Sequence, residues 1–322
     1  MVVDSDGRAS PAEGKPRKAP FYRHLKRHAT RWSARLAAFL WSRLPLPVVQ
    51  ALGACLGRLI YRVARSRRRR ALANLEACFG DRFTPAERRR ILVFSAQNMV
   101  TSCLELFALA RMKPEQILRL TDIEGREHLD AAVERGKGAM VITAHYGNWE
   151  LLGAIIVTLF GHDLAVLARD STDRETARLV NAARNALGMQ VLSRDDLSEM
   201  IAWLRQGKVL GVLPDQRQPK GGLILDFMGR PATTSTGPAI LALRTGAAIV
   251  PGFTRRLPNG RFHTVFCPPL EPPQGMARSQ ATGAYSQSVN DAVGRAISDH
   301  PEQWLWLHDR WRTGPYRPRD NG

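Results

Sequence analysis

The chain has 322 residues, 44% of them hydrophobic, enough to bury one large core or two small ones, so a globular fold is expected. Lys and Arg total 47 against 29 for Asp and Glu, a formal charge of +18; such a charge attracts a polyanion or an anionic surface without choosing among nucleic acid, acidic lipid, phosphorylated substrate and acidic carrier protein. The four cysteines, Cys55, Cys78, Cys103 and Cys267, form no CxxC pair and no Cys/His cluster at zinc spacing, so they read as reduced, buried thiols of a cytosol-facing protein.

Residues 1–30 are polar, basic and contain Pro and Gly. With no early apolar stretch and no small-residue cleavage site, they read as a disordered basic tail and not as a secretory signal. Residues 31–70 change character. From Ala34 to Ala64 the chain is strongly apolar but interrupted by Arg43, Pro45, Pro47, Arg58 and Arg62. A spanning helix needs roughly 20 mostly apolar residues, and Leu44–Ala64 reaches that length only by including two arginines. Two helices broken at "PLP" therefore fit an amphipathic anchor lying in the membrane interface. The run "RSRRRR", Arg65 to Arg70, extends it, since each charge near an acidic leaflet gains about 1 kcal/mol, and the positive-inside bias places the following domain in the cytoplasm. The alternative is a solvated basic helix end beside a buried helix. Nucleic acid is the weaker partner, because the run lacks an aromatic platform, a zinc site or a recognition helix.

Residues 71–322 read as the main domain. "ALANLEACFGD" and the stretch after "TPAE" are helical; Thr84 as N-cap, Pro85 at the first helical position and Glu87 three residues after the cap are a start signal. Near residue 121 short apolar runs begin to alternate with helical patterns, which predicts an α/β fold with a mixed, largely parallel central sheet flanked by helices, preceded by the helical membrane anchor. "DDLSEMIAWLRQGK" reads as a helix capped near Asp195, "VLGVLP" as a strand, and "DQRQPKGGLILDFMGRPATTST" as a glycine-rich loop. A helix begins near Gly237, and "AAIVPGFTRR" and "RFHTVFCPPL" are strands joined through "LPNG".

The chemistry concentrates at "AHYGNWE". A strand, "GAMVITA", runs into a turn from His145 to Asn148 and then a helix; Gly147 permits an unusual backbone there and Asn148 is a good N-cap. His145 and Glu150 converge if the first sits in the turn and the second in the first helical turn, where a carboxylate orients the imidazole and raises its basicity. The bland alternative is a dipole-complementing glutamate and a strand-end histidine.

"HYGNWE" resembles the His-x-x-x-x-Asp/Glu signature of the glycerolipid acyltransferase superfamily, in the form typical of bacterial lipid A biosynthesis acyltransferases. "NLEACFGD", "LARD", "GVLPDQ", "DFMGRPATTSTGPAILALRTGAAIVP" and "HPEQWLWLHDRWRTGP" resemble successive blocks of that family in order, over roughly residues 30 to 315. The resemblance implies direct transfer of a fatty acyl chain from acyl carrier protein, or from acyl-CoA, to a hydroxyl of a lipid A precursor. In that scheme His145 is the general base, Glu150 holds its ring, and backbone amides of the turn and helix N-terminus stabilise the oxyanion. It implies no cofactor and no acyl-enzyme, consistent with the absence of a G-x-S-x-G elbow. It assigns a phosphate-binding role to Arg169, a site-ordering or acceptor-contacting role to Asp215, an anion-binding role to Arg230 and a place in the substrate-binding site to Gly147 and Asn148, each of which has a plain structural alternative. Partners implied are acyl carrier protein, the lipid acceptor and anionic lipids of the inner membrane. "PDQRQPKGG" departs from the usual block by supplying Arg217 and Lys220, which leaves a phospholipid, aminolipid or glycolipid acceptor open; a non-enzymatic membrane scaffold is the alternative outside enzymology. Trp304, Trp306 and Trp311 read as packing of a closing segment, with a membrane-level aromatic belt as the alternative, and His308 reads as hydrogen-bonded in place.

Overall fold

A computed structural model of the chain describes residues 43–168, 174–218 and 221–311. The disordered-tail reading of residues 1–30, the start of the anchor and Arg169 lie outside the described residues.

Helix α1 (Leu46–Val63) begins at the predicted proline break, with Pro45 at its N-cap. It packs along α3 (Pro85–Leu109), where Gly53 and Gly57 let the backbones touch: a Cβ on Gly53 would lie 2.7 Å from Thr101 Cα, and one on Gly57 would overlap the backbone at Gln97. Its other side leaves Leu52, Leu56, Leu59, Ile60 and Val63 exposed. Both α1 and α3 are long and apolar enough to cross a membrane, but most of the apolar stretch of α3 is buried in the protein whereas most of that of α1 is not. Helix α2 (Arg65–Phe79) carries the arginine run. The α3 start is as expected, a full capping box in which Thr84 Oγ1 accepts from Glu87 N–H while the Glu87 carboxylate accepts from Thr84 N–H at 2.8 Å.

After the short α4 (Pro114–Leu118), the alternation expected from residue 121 onward appears as β1 (Thr121–Glu124), α5 (Arg126–Glu134), β2 (Ala139–Ile142), α6 (Trp149–Thr158), β3 (Leu164–Ala168), α7 (Arg174–Ala186), β4 (Gln190–Ser193), α8 (Leu197–Arg205) and β5 (Val209–Val212). The chain closes with β6 (Leu223–Phe227), β7 (Arg230–Thr234), α9 (Gly237–Thr245), β8 (Ala248–Arg256), β9 (Phe262–Phe266) and α10 (Arg278–Asp299). The main sheet has the order β1-β9-β8-β2-β5-β3-β4, parallel throughout except for the β8–β9 pair. That antiparallel pair turns at "LPNG", where Leu257 N–H donates to Arg261 O at 2.8 Å. All four β2 residues are buried, as a strand covered on both faces requires.

Three local expectations change. Residues 223–234, read as loop, form the β6–β7 hairpin, because Met228 and Gly229 both take positive φ (57° and 77°) and make the tight turn. The α8 cap is Asp196, whose Oδ1 accepts from Glu199 N–H at 2.9 Å, one residue after the position favoured by sequence. The cysteines are free, but Cys55 and Cys103 are exposed and none is fully buried.

Candidate active site

The site is created by strand register. In the parallel β2–β5 pair Ile142 is opposite Val212. Each strand then runs on three residues, to His145 and to Asp215, so the sheet delivers an imidazole and a carboxylate side by side at its carboxyl edge. Asp215 is buried and accepts three hydrogen bonds. His145 Nδ1 lies 2.9 Å from Oδ1, His145 N–H donates to Oδ2 at 3.0 Å, and Trp304 Nε1 donates to Oδ2 at 2.9 Å. With Nδ1–H given to Asp215, the lone pair of Nε2 faces outward, and Gln216 Nε2 approaches it at 3.2 Å. This is the tautomer a general base requires. Burial alone would push the His145 pKa down; the charge and hydrogen bond of Asp215, helped by Glu150, override it and hold the ring above its ordinary value, with Arg184 opposing. For Asp215 burial pushes upward, and the pairing with His145 and Trp304 outweighs it and holds the carboxyl below its usual range.

Glu150 does not do what its spacing suggests. It lies on the first turn of α6, but its carboxylate is engaged by Arg184 of α7, with Nε to Oε2 at 3.0 Å and Nη2 to Oε1 at 2.5 Å, and by Trp149 Nε1 at 3.0 Å. The imidazole is held by Asp215, 70 positions away in sequence, and Glu150 acts on it only through the field. The reason is directional: on α6 the Glu150 side chain faces α7, while the turn aims His145 toward β5.

The turn is tightly held. Gly147 has φ of 52°, and a Cβ there would fall on the Thr254 carbonyl oxygen. Asn148 is the N-cap of α6, its Oδ1 accepting from Leu151 N–H at 2.9 Å. The amides of Tyr146, Gly147 and Asn148 donate to Ala144 O, Gln303 O and Thr254 O, so of the turn and helix N-terminus named for the oxyanion, these three turn amides are already engaged. Trp304, Trp306 and Trp311 are core residues, as anticipated, and Leu305 N–H donates to His145 O at 3.1 Å. His308 Nε2 accepts from Arg217 N–H at 3.2 Å, and burial lowers its pKa.

His145 opens into a cavity of about 630 Å³. Its lining includes the apolar Val141, Leu152, Ile156, Leu164, Val166 and Met189, while Arg184, Arg194, Gln216 and Arg217 contribute polar groups. Arg230 does not line it: its Nη1 donates to Asn74 Oδ1 at 3.0 Å and its guanidinium covers the Trp311 ring. The sequence reading missed Arg184, which carries no motif and is recognisable only once α7 is packed on α6. Among the described residues no group of His, Cys, Asp and Glu has the arrangement of a metal site.

The site thus combines an imidazole–carboxylate pair at the carboxyl edge of an α/β sheet with an adjoining cavity of mixed apolar and polar lining. Residues 15–313 match the family of bacterial lipid A biosynthesis acyltransferases, and the chain belongs to that family and is an acyltransferase. It is similar to the lipid A biosynthesis lauroyltransferase of Escherichia coli K12, 29% identical over 88% of this chain and 92% of the relative. It is also similar to the lipid A biosynthesis palmitoleoyltransferase of the same organism, 23% identical over 88% of this chain and 91% of the relative. A phosphatidylinositol mannoside acyltransferase of Mycobacterium tuberculosis CDC 1551 is 30% identical over 64% of this chain and 66% of its own length.

Proposed function

We propose that the protein is a membrane-associated O-acyltransferase that moves a fatty acyl chain from acyl carrier protein to a hydroxyl of a lipid A precursor at the cytoplasmic face of the inner membrane. The observation that carries the reading is the His145–Asp215 pair, with His145 lining a cavity that also has many apolar lining residues. The acceptor hydroxyl replaces the Gln216 amide at His145 Nε2. Nε2 takes the hydroxyl proton as the oxygen attacks the thioester carbonyl, and Asp215 stabilises the imidazolium that forms. When the tetrahedral intermediate collapses the C–S bond breaks and Nε2 returns the proton to the leaving thiolate, so an ester and a free thiol result with no acyl-enzyme and no cofactor. The positive end of α6 supplies a favourable field for the developing oxyanion.

In this reading Glu150 and Arg184 brace the wall of the site, and Asn148 and Gly147 shape the turn. Arg194 and Arg217 of the cavity lining bind phosphate groups of the acceptor, the role the family resemblance also assigns to Arg169. The exposed apolar side of α1 and the arginines of α2 contact the anionic leaflet, within the anchoring segment 31–70. A glycolipid other than lipid A is the second reading, supported by the similarity to the mannoside acyltransferase over 64% of this chain.

The test is an acceptor panel. Membrane fractions containing the protein are incubated with acyl carrier protein thioesters and, separately, a Kdo-bearing under-acylated lipid A precursor, a phosphatidylinositol mannoside and a lysophospholipid, with products read by mass spectrometry. One added chain on the lipid A precursor supports the first reading. A chain added only to another acceptor replaces it with the second.

A further inference from the structure

Behind the catalytic turn lies a second polar assembly built on Glu105 and Arg256, which lie outside the motif blocks quoted above. Glu105, fully buried on α3, accepts four charged or polar donors: Arg256 Nη1 at 2.6 Å and Nη2 at 2.7 Å, Gln50 Nε2 of α1 at 2.9 Å, and Asn148 Nδ2 at 2.7 Å. Arg256 continues outward, its Nε donating to Asn98 Oδ1 at 2.9 Å and its Nη2 to Ser102 Oγ at 3.2 Å. Asn98 Nδ2 and Ser102 Oγ both then donate to the carbonyl oxygen of Gly147, at 2.9 and 2.7 Å. Asn98, Ser102 and Glu105 are spaced four and three apart, so they form one polar stripe on a largely apolar helix.

We propose that Glu105 and Arg256 form a positioning unit that fixes the Gly147–Asn148 turn, and through it the placement of His145, for acyl transfer. The observation is the convergence of the unit on two adjacent residues: it grips the Asn148 side chain directly and the Gly147 carbonyl through Asn98 and Ser102. Fold stability alone does not account for such a pair. A buried ion pair repays little of its desolvation, and well-packed apolar replacements are commonly neutral or stabilising. What an apolar pair cannot supply is direction. Asn148 can cap α6 with Oδ1 and also be restrained in rotation only if its Nδ2 has a fixed acceptor, and that acceptor is Glu105.

The unit touches no reacting atom, so its members are positioning residues, and their role rests on the reading of His145 as base. The test compares three forms of the full chain: wild type, Glu105→Gln, and the double variant Glu105→Leu/Arg256→Met, in which both charges are replaced by apolar groups. Each is assayed for kcat and KM with acyl carrier protein thioester and lipid acceptor, for thermal unfolding, and by NMR for the His145 Nδ1 proton. The proposal expects the double variant to remain folded while kcat drops about 100-fold, the order of loss produced by a misplacement of about 1 Å at a reacting group. KM stays within threefold and the Nδ1 signal shifts or broadens. Glu105→Gln shows the same split between kcat and KM. A folded double variant with kcat within threefold of wild type and an unmoved Nδ1 signal overturns it. If wild type transfers no acyl chain to any acceptor, the functional reading has failed, and the NMR signal still decides whether the unit holds the imidazole.

Discussion

Replacing Asp215 by Asn changes one atom and, by the geometry of the site, inverts the histidine. Oδ2 accepts two N–H groups, from His145 backbone and Trp304, while Oδ1 meets only His145 Nδ1. An asparagine keeps the most hydrogen bonds by placing its carbonyl oxygen at the Oδ2 position and its amide nitrogen at the Oδ1 position. The amide then donates to Nδ1, which must become the acceptor, and the ring proton moves to Nε2. A protonated Nε2 cannot take a proton from an alcohol. Because volume and most hydrogen bonds are retained, the variant stays folded. A wrong-tautomer substitution in a serine protease lowers kcat about 10⁴-fold, and a loss of 10³- to 10⁴-fold is expected here, equivalent to about 4–5.5 kcal/mol of activation free energy. The assay is single-turnover acyl transfer under saturating thioester, with ¹⁵N chemical shifts of His145 reporting the tautomer. Activity within threefold of wild type, or an unchanged tautomer, refutes the reasoning.

Other consequences follow from the same geometry. His145 must be neutral to act, and Asp215 outweighs burial in holding its pKa above the ordinary value; the acid limb of kcat/KM for wild type therefore lies above about pH 6.5. Glu150→Gln leaves Arg184 in its partly buried place without a countercharge, and a loss of about 3 kcal/mol in urea unfolding is expected, with Glu150→Gln/Arg184→Met recovering much of it. Gly153→Ala puts a Cβ 2.8 Å from the flexible end of Met189 in the cavity lining, so the thioether must move, and chain-length profiling of acyl donors should shift toward shorter chains. Thr84→Ala removes the α3 cap and should cost about 1 kcal/mol by denaturant titration without altering KM.

Much of the framework was legible because it depends on neighbours in sequence. The α3 capping box is contained in "TPAE", the β8–β9 turn in "LPNG", and the strand–turn–helix around His145 in a continuous apolar run to Ala144 followed shortly by Gly147 and Asn148. The relations that make the site are not local. Asp215 could be recognised as a strand-end carboxylate, but its adjacency to His145 depends on β2 pairing with β5, a register no single segment records. Glu150 has the motif spacing, yet a five-residue interval does not specify which side chain faces α7 and which faces β5. The Asn98–Ser102–Glu105 stripe was visible in principle as polar residues at helical spacing on an apolar helix. Its meaning required Arg256, which arrives from β8 more than 150 positions later.

The most direct test of the account is the transfer of one acyl chain, followed by mass spectrometry of the lipid acceptor, by wild type and by a folded His145→Ala variant under identical thioester and membrane conditions. The account predicts one added chain with wild type and none with the variant at matched protein and time. Acylation by the variant at a rate within tenfold of wild type would show that His145 is not the base and that the chemistry lies elsewhere on the molecule.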